Sequence, residues 1–233
     1  MNTSFEPRAA GGGGLLRLLL LTGVFALPLA ACDGSGDSSD DAPPPAPAPV
    51  PPTPPATFPP LAATAIDIDD GHTVGSRYWP DRDTSAGGLG QPIAGLECGT
   101  MIETYHVHSH LSVFLNGQAL AVPAMVGIVE TSPTSECTYN VHTHDLSGKL
   151  HVEAPAAGTF TLGQFFAIWG QPLERNDIAG LRDLPVVVYV VDAGVVSEYD
   201  GDLAAIELRS HRLIAIQVGT PITEIPSFTW SAN

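Results

Sequence analysis

The sequence predicts a β-rich α+β fold, with antiparallel sheet or sheets and one or two short helices. Three observations carry that reading. Apolar and polar residues alternate with period two through residues 104–115 and again through 138–154, the pattern of strands with two unlike faces. Asn116-Gly117, the strongest short hairpin signal, directly follows the first of these stretches. Pro185 opens an unbroken apolar run, VVVYVVD, that ends in a turn over Asp192 to Gly194, as a buried strand does. Against all this strand pattern stands one helical one: Leu162, Phe165, Phe166 and Trp169 recur at helical spacing, with Thr161 suited to the N-cap and Gly170 to the left-handed C-terminal position.

The chain begins with residues that belong to delivery rather than to the fold. Arg8 and Arg17 precede an apolar stretch, residues 18–29, shorter than the roughly 20 residues of a membrane span. Leu29-Ala30-Ala31-Cys32 resembles the bacterial lipobox, whose cysteine thiol is acylated and becomes the mature N-terminus. The plainer alternative is an ordinary signal peptide with an incidental cysteine. The resemblance implies a lipoprotein signal peptide over residues 1–31, lipidation at Cys32 and a membrane-anchored chain in the bacterial cell envelope, facing the periplasm or the cell exterior. Two or three acyl chains, at roughly 0.8 kcal/mol per buried methylene, hold such a protein lastingly at a membrane. Residues 32–60 turn from acidic and Ser/Gly-rich to Pro-rich and read as a tether in extended polyproline geometry. Residues 61–233 read as a single β-rich domain, long enough to bury one core.

Within the domain, residues 61–98 are rich in Asp, Gly and Pro and predict an irregular lead-in, with His72 on a surface loop. Residues 104–115 form a strand, 118–122 its return and 125–129 another short strand. Residues 138–144 and 149–154 form a hairpin around the turn Asp145 to Gly148, in a register that pairs His144 with Lys149, His142 with His151 and Asn140 with Glu153. After the helix and the Val-rich strand, residues 213–218 give a late strand, preceded by His211.

Nine Lys and Arg against 25 Asp and Glu give a net charge of −16. No basic patch exists for a phosphate backbone, which excludes nucleic acid as a partner. The acidic surface suits solubility outside the cell as well as it suits cations. Chemistry concentrates instead in residues 105–153, which hold six of the eight histidines. His106, His108 and His110 alternate on one strand, His142 and His144 on the next, and His151 stands two residues before Glu153 on the third. On all three strands the imidazoles fall opposite the apolar positions. Side chains at i and i+2 of a strand point the same way, so two such histidines reach one ion and a neighbouring strand supplies the rest. Neutral imidazole suits Zn(II), Cu(II), Ni(II) and Fe(II). With Met1, Met101 and Met125 the only methionines, a methionine-rich Cu(I) site is disfavoured. The candidate ligands of a Cu(II) or Zn(II) ion are therefore His106, His108, His110, His142, His144 and His151. Glu153, Asp145, Tyr105 and Glu103 are candidates to fix the far ring nitrogens, and Glu153 is also a candidate base on a metal-bound water. The bland alternatives are pH sensing or plain polar surface. Cys98 and Cys137 are an even pair once Cys32 is acylated, and a disulfide between them is the default reading in an oxidising compartment; ligation of metal by the thiols is the alternative.

The run HVHSHLSVFLNGQ, then HTHDLSGKLHVEAP, then FTLGQFFAIWGQPL resembles an uncharacterised family of exported or membrane-attached bacterial and archaeal domains with HxHxHL, HTHD…GxxHxE and LGxFFxxWG motifs. The resemblance covers about a third of the chain. It implies that the six histidines and Glu153 belong to one motif, and it supplies no activity. HTHDLSGKLH is also similar to the metal motif of amidohydrolase and polymerase-histidinol-phosphatase barrels, but those need a larger α/β barrel than this strand-rich domain. HVHSH with a later strand histidine is similar to α-type carbonic anhydrases, whose remaining signature is missing. The sequence thus points to an envelope lipoprotein binding copper or zinc as carrier, buffer or sensor. The alternatives are a metal-dependent hydrolase or lyase using metal-bound water, and a structural envelope module with a stabilising metal.

Overall fold

The computed structural model describes residues 58–69 and 71–230. Residues 1–31, read above as a signal peptide, and Cys32 lie outside the described residues. Strands dominate, with a single α-helix among the described residues, and most pairings are antiparallel. The period-two alternation of the sequence has this physical outcome: it marks strands that bury different things on their two faces.

A seven-stranded sheet organises the domain. Its main path runs Val195–Glu198, Val186–Asp192, Leu213–Val218, Tyr105–Leu115, Lys149–Ala154 and Val141–His142, and Gln118–Leu120 pairs with the end of Tyr105–Leu115. The Asn116-Gly117 turn forms as expected, with both residues at positive φ. One central pairing departs from the antiparallel expectation. Leu213–Val218 runs parallel to Tyr105–Leu115, with Leu213 opposite His110. The two strands are joined by a long crossover containing the helix, which is the connection that parallel neighbours require.

One face of this sheet is largely apolar, with Ser109 its buried polar exception. Leu111, Val113, Leu150, Val152, Val188, Val190, Ile214 and Ile216 join a buried cluster that receives Leu162, Phe165, Phe166, Ile168 and Trp169 from the helix Leu162–Trp169. That helix starts at Thr161, whose side chain accepts from the Gln164 amide while the Gln164 side chain accepts from the Thr161 amide, a reciprocal capping box. It ends at Gly170, at φ 75°.

The opposite face is divided. Toward the C-terminal end of Tyr105–Leu115, Phe114 packs with Tyr189, Val191, Leu213 and Ala215 beneath Ile68, Ile225 and Phe228. The covering residues come from Leu61–Asp67, pairing parallel with Ile225–Thr229, and from their flanks. The histidines occupy the remainder of the face.

Several boundaries shift from the sequence expectation. Leu61–Asp67 is a strand inside the expected irregular lead-in, and Ile225–Thr229 is a strand that no periodicity announced. Their short runs, IPSFT in particular, lack alternation, and the two pair with each other in a separate two-stranded sheet. Trp79, also in the lead-in, is buried and donates its indole N–H to the Ala179 carbonyl at 2.8 Å. Phe58, within the stretch read as tether, packs edge-on against Tyr189 at 6.1 Å. The expected strand at 125–129 begins later, as Ile128–Ser132, because Met125 and Gly127 take positive φ in a turn. The expected strand at 138–144 divides into Ser135–Tyr139, paired with Cys98–Gly99 and Ile128–Ser132, and Val141–His142, paired with Lys149–Ala154.

Cys98 and Cys137 form a disulfide with Cα atoms 5.3 Å apart, 39 residues apart in sequence. It ties the small sheet that precedes His142 to the segment that leads into Tyr105. Closing a loop of this length removes chain entropy worth roughly 3–4 kcal/mol from the unfolded state. The paired substitution Cys98→Ser with Cys137→Ser is expected to lower unfolding stability by about that amount in denaturant titration. A loss below about 1 kcal/mol would show that the bridge constrains little.

Candidate metal centre

The histidine half of the sheet face is assembled by two strand registers. On Lys149–Ala154, His151 sits opposite His108 of one neighbour and opposite His142 of the other. Glu153 sits opposite His106. The His142–His151 pairing is the register expected from the four-residue turn, and Asn140 meets Glu153 through reciprocal bonds of 2.9 and 2.7 Å. The turn is set by Asp145, whose carboxylate accepts from the Ser147 amide at 2.9 Å and from the Gly71 amide at 2.7 Å. Gly127 lets the neighbouring turn press on this strand. At φ 80°, a Cβ there would lie 2.7 Å from the Val141 carbonyl oxygen and 3.0 Å from the His142 Cβ.

The side chains converge. His106 Nε2 lies 2.9 Å from His108 Nε2, which lies 3.0 Å from His151 Nδ1. His142 Nε2 lies 3.2 Å from His144 Nε2. Glu153 enters between them: Oε1 is 3.1 Å from His106 Nε2 and 3.4 Å from His151 Nδ1, and Oε2 is 3.7 Å from His142 Nε2. A tetrahedral ion with bonds of ~2.0–2.1 Å holds its ligand atoms roughly 3.3 Å apart, and these separations bracket that value. A neutral ring nitrogen carries either one hydrogen or one lone pair. His108 Nε2 therefore cannot make two good linear hydrogen bonds to two other ring nitrogens at once, whereas lone pairs converging on a cation account for the geometry. The cluster can hold a metal ion: His142, His144, His151 and Glu153 form one mutually close donor group, and His106, His108 and His151 another.

Two further observations fit a cation. Glu153 is 4% exposed and its Oε2 has no hydrogen-bond partner among the described residues. A buried carboxylate oxygen without a donor is costly, and a bound cation removes that cost. His142, fully buried, donates Nδ1–H to the Tyr139 carbonyl at 2.9 Å. Its Nε2 lone pair is thereby aimed at Glu153 and His144, the orientation that a ligand histidine needs.

Other expected site residues fall elsewhere. His110 lies outside both donor groups. Its Nε2 donates to the Ser147 carbonyl at 2.8 Å, its Nδ1 lies 3.3 Å from the Ser112 hydroxyl, and its ring stacks on Phe228 at 3.6 Å between centroids. Tyr105, at an odd position, turns to the apolar face and stacks on Phe160 at 6.4 Å rather than supporting a ring nitrogen of the cluster. Glu103 stands at the rim, 3.9 Å from His106 Nδ1 and mostly exposed. Asp145 is engaged in the turn and borders the site. His72 and His211 are exposed and belong to neither donor group. The disulfide removes both cysteines as thiolate ligands. Lys149, which the sequence register already pairs with His144, is a site residue that the sequence reading did not name. It is buried and lines the site, and its signal was its parity with His151 and Glu153.

The centre opens to solvent through a cleft of about 440 Å³ lined by Met101, Glu103, His106, His144, Lys149 and Glu153 among others. His144 is the most exposed member of its donor group, and His108 and His151 lie beneath. No family model, curated protein or solved structure matches this chain.

Burial pushes the His108, His110 and His142 imidazoles down to about 3; His151 adds to the shift at His108 and His142. These rings are neutral at physiological pH, the form that ligates metal. The consequence for stability follows by linkage. The unfolded rings take up protons near their ordinary 6.5, so the unfolded state binds more protons between pH 6.5 and 3. The stability is fully present above pH 6.5 and is lost as pH falls toward 3. Asp83, buried and raised to about 7, acts in the opposite sense, favouring the folded state at low pH. With three groups against one, the metal-free protein is expected to show a Tm that falls steadily from pH 6.5 to 4 in scanning calorimetry. A flat profile would contradict neutral buried imidazoles.

Proposed function

We propose that this chain is an envelope lipoprotein that binds a transition metal, copper or zinc, as a carrier, buffer or sensor. The observation that carries the reading is the convergence of five imidazoles and the unpartnered Glu153 carboxylate oxygen on one site. The donor set suits borderline divalent ions: imidazole nitrogen with one carboxylate and no thiolate, a combination that Zn(II) and Cu(II) accept. Ligands half open to a cleft suit an ion that exchanges, whereas a purely structural site is closed. The lipobox-like Leu29-Ala30-Ala31-Cys32 and the proline-rich tether support attachment to a membrane at a distance from its surface. Among the described residues no helix is long and apolar enough to cross one.

A second reading, a hydrolase or lyase using metal-bound water, is favoured by the size of the cleft and by Lys149 beside the donors. A lysine ammonium repels a cation and attracts an anionic ligand, so it is an unusual neighbour for a site that only stores metal.

The mature, untagged chain is expected to retain or take up stoichiometric Zn(II) or Cu(II) with sub-micromolar affinity by elemental analysis and calorimetry. His108→Ala and His142→Ala should each weaken binding at least ten-fold. A native chain that retains no metal and binds none at that affinity would sink the reading. Anchoring has its own test: Cys32→Ser should move the protein from the membrane fraction to the soluble one, and unchanged fractionation would refute lipidation there.

A further inference from the structure

We infer that the centre is built for two metal ions side by side, bridged by the Glu153 carboxylate; the inference rests on the metal-binding reading above. The donors fall into two groups with His151 in common. Each group is founded on an i,i+2 histidine pair, His106 with His108 on one strand and His142 with His144 at the end of another. The two pairs are not on adjacent strands. Lys149–Ala154 lies between them, so their backbones stand two strand spacings apart, roughly 9–10 Å. Each pair closes on its own point beside the middle strand. That strand contributes the two residues able to serve both points, His151 and Glu153.

Glu153 supplies the sharpest sign. Its two oxygens are divided between the groups, Oε1 toward His106 and His151 and Oε2 toward His142. A carboxylate held to one ion directs one or both oxygens to the same point. One that divides its oxygens between two imidazole pairs has the geometry of a bridge, and two-metal sites hold their ions ~3.5–4 Å apart. The number of donors agrees: five histidines and a carboxylate exceed the four ligands of one tetrahedral ion, and with the two carboxylate oxygens shared they fall one short of two full tetrahedral shells. The cleft is lined by His106 and His151 from one group and by His144, His151 and Glu153 from the other, so both ions border the same space. A ligand spanning the two ions would sit in this cleft, which Lys149 also lines; two cations side by side take an anionic oxygen ligand such as hydroxide, a carboxylate or an oxyanion.

The experiment is metal titration of the mature, untagged full-length chain with Zn(II) and with Cu(II), followed by elemental analysis after desalting. The native chain is expected to hold two equivalents. His106→Ala and His144→Ala, at partly exposed positions, should each hold one. The Cu(II)-loaded native chain should show the half-field electron paramagnetic signal of a coupled pair, and each single variant an isolated-copper spectrum. Saturation at one equivalent, or complete loss of metal in either single variant, would overturn the two-ion inference while leaving the metal-binding reading intact. Absence of any bound metal would overturn both.

Discussion

Side chains alternate along a strand, so the register between Tyr105–Leu115 and Lys149–Ala154 decides two things at once. It places His108 opposite His151 and His106 opposite Glu153 on one face, and Val107 opposite Val152 and Ser109 opposite Leu150 on the other. A slip of one residue would turn the imidazoles into the apolar cluster under the helix and the valines and leucines into the cleft. Neither exchange is tolerable. Burying imidazoles and a carboxylate against Trp169 and Phe165 is costly, and so is exposing Leu111 and Leu150. The metal centre and the core therefore hold the same register, and each protects the other from slipping.

The histidine face carries an electrostatic cost that the apolar face does not. His108, His142, His151, Lys149 and Glu153 are all buried within a few ångströms of one another. Burial keeps the His108 and His142 imidazoles neutral, which removes their repulsion of neighbouring cations and leaves their lone pairs available. Glu153 among them is the group least well served, with one oxygen unpartnered. A protein that folds around such a group without a cation gives up stability to do so. Functional sites commonly show that compromise, in which local stability is exchanged for readiness to bind.

Much of this was legible from the sequence because period-two alternation is a direct image of strand geometry. The hairpin register, the Asn116-Gly117 turn, the Thr161 cap and the Gly170 terminus follow from local rules, and local rules hold when tertiary packing agrees with them. The features that were not legible depend on what lies across the sheet. Nothing in IPSFT or LAATAID says that these segments pair with each other and roof half of the histidine face. Tyr105 could have been assigned correctly, since its odd position already placed it with Val107 on the apolar side. Lys149 shared the parity of His151 and Glu153 but carries the charge that a search for metal ligands passes over.

His110 shows why three alternating histidines need not be three ligands. Successive residues on one strand face are separated by nearly 7 Å, so the outer two of three cannot readily share an ion. The strand resolves this by changing what covers it. At His106 and His108 the face meets the cleft, and at Phe114 it meets the roof formed by Ile225 and Phe228. His110 stands at the boundary and uses both of its characters, an aromatic face against Phe228 and polar edges to Ser147 and Ser112. Gly148 allows the close fit, since a Cβ there would meet His110 Nε2 at 3.0 Å. By holding the Ser147–Gly148 turn against the strand, His110 fixes the start of Lys149–Ala154 and with it the positions of His151 and Glu153. The third histidine of the row therefore contributes to the cluster by setting the strand that carries His151 and Glu153, without belonging to either donor group.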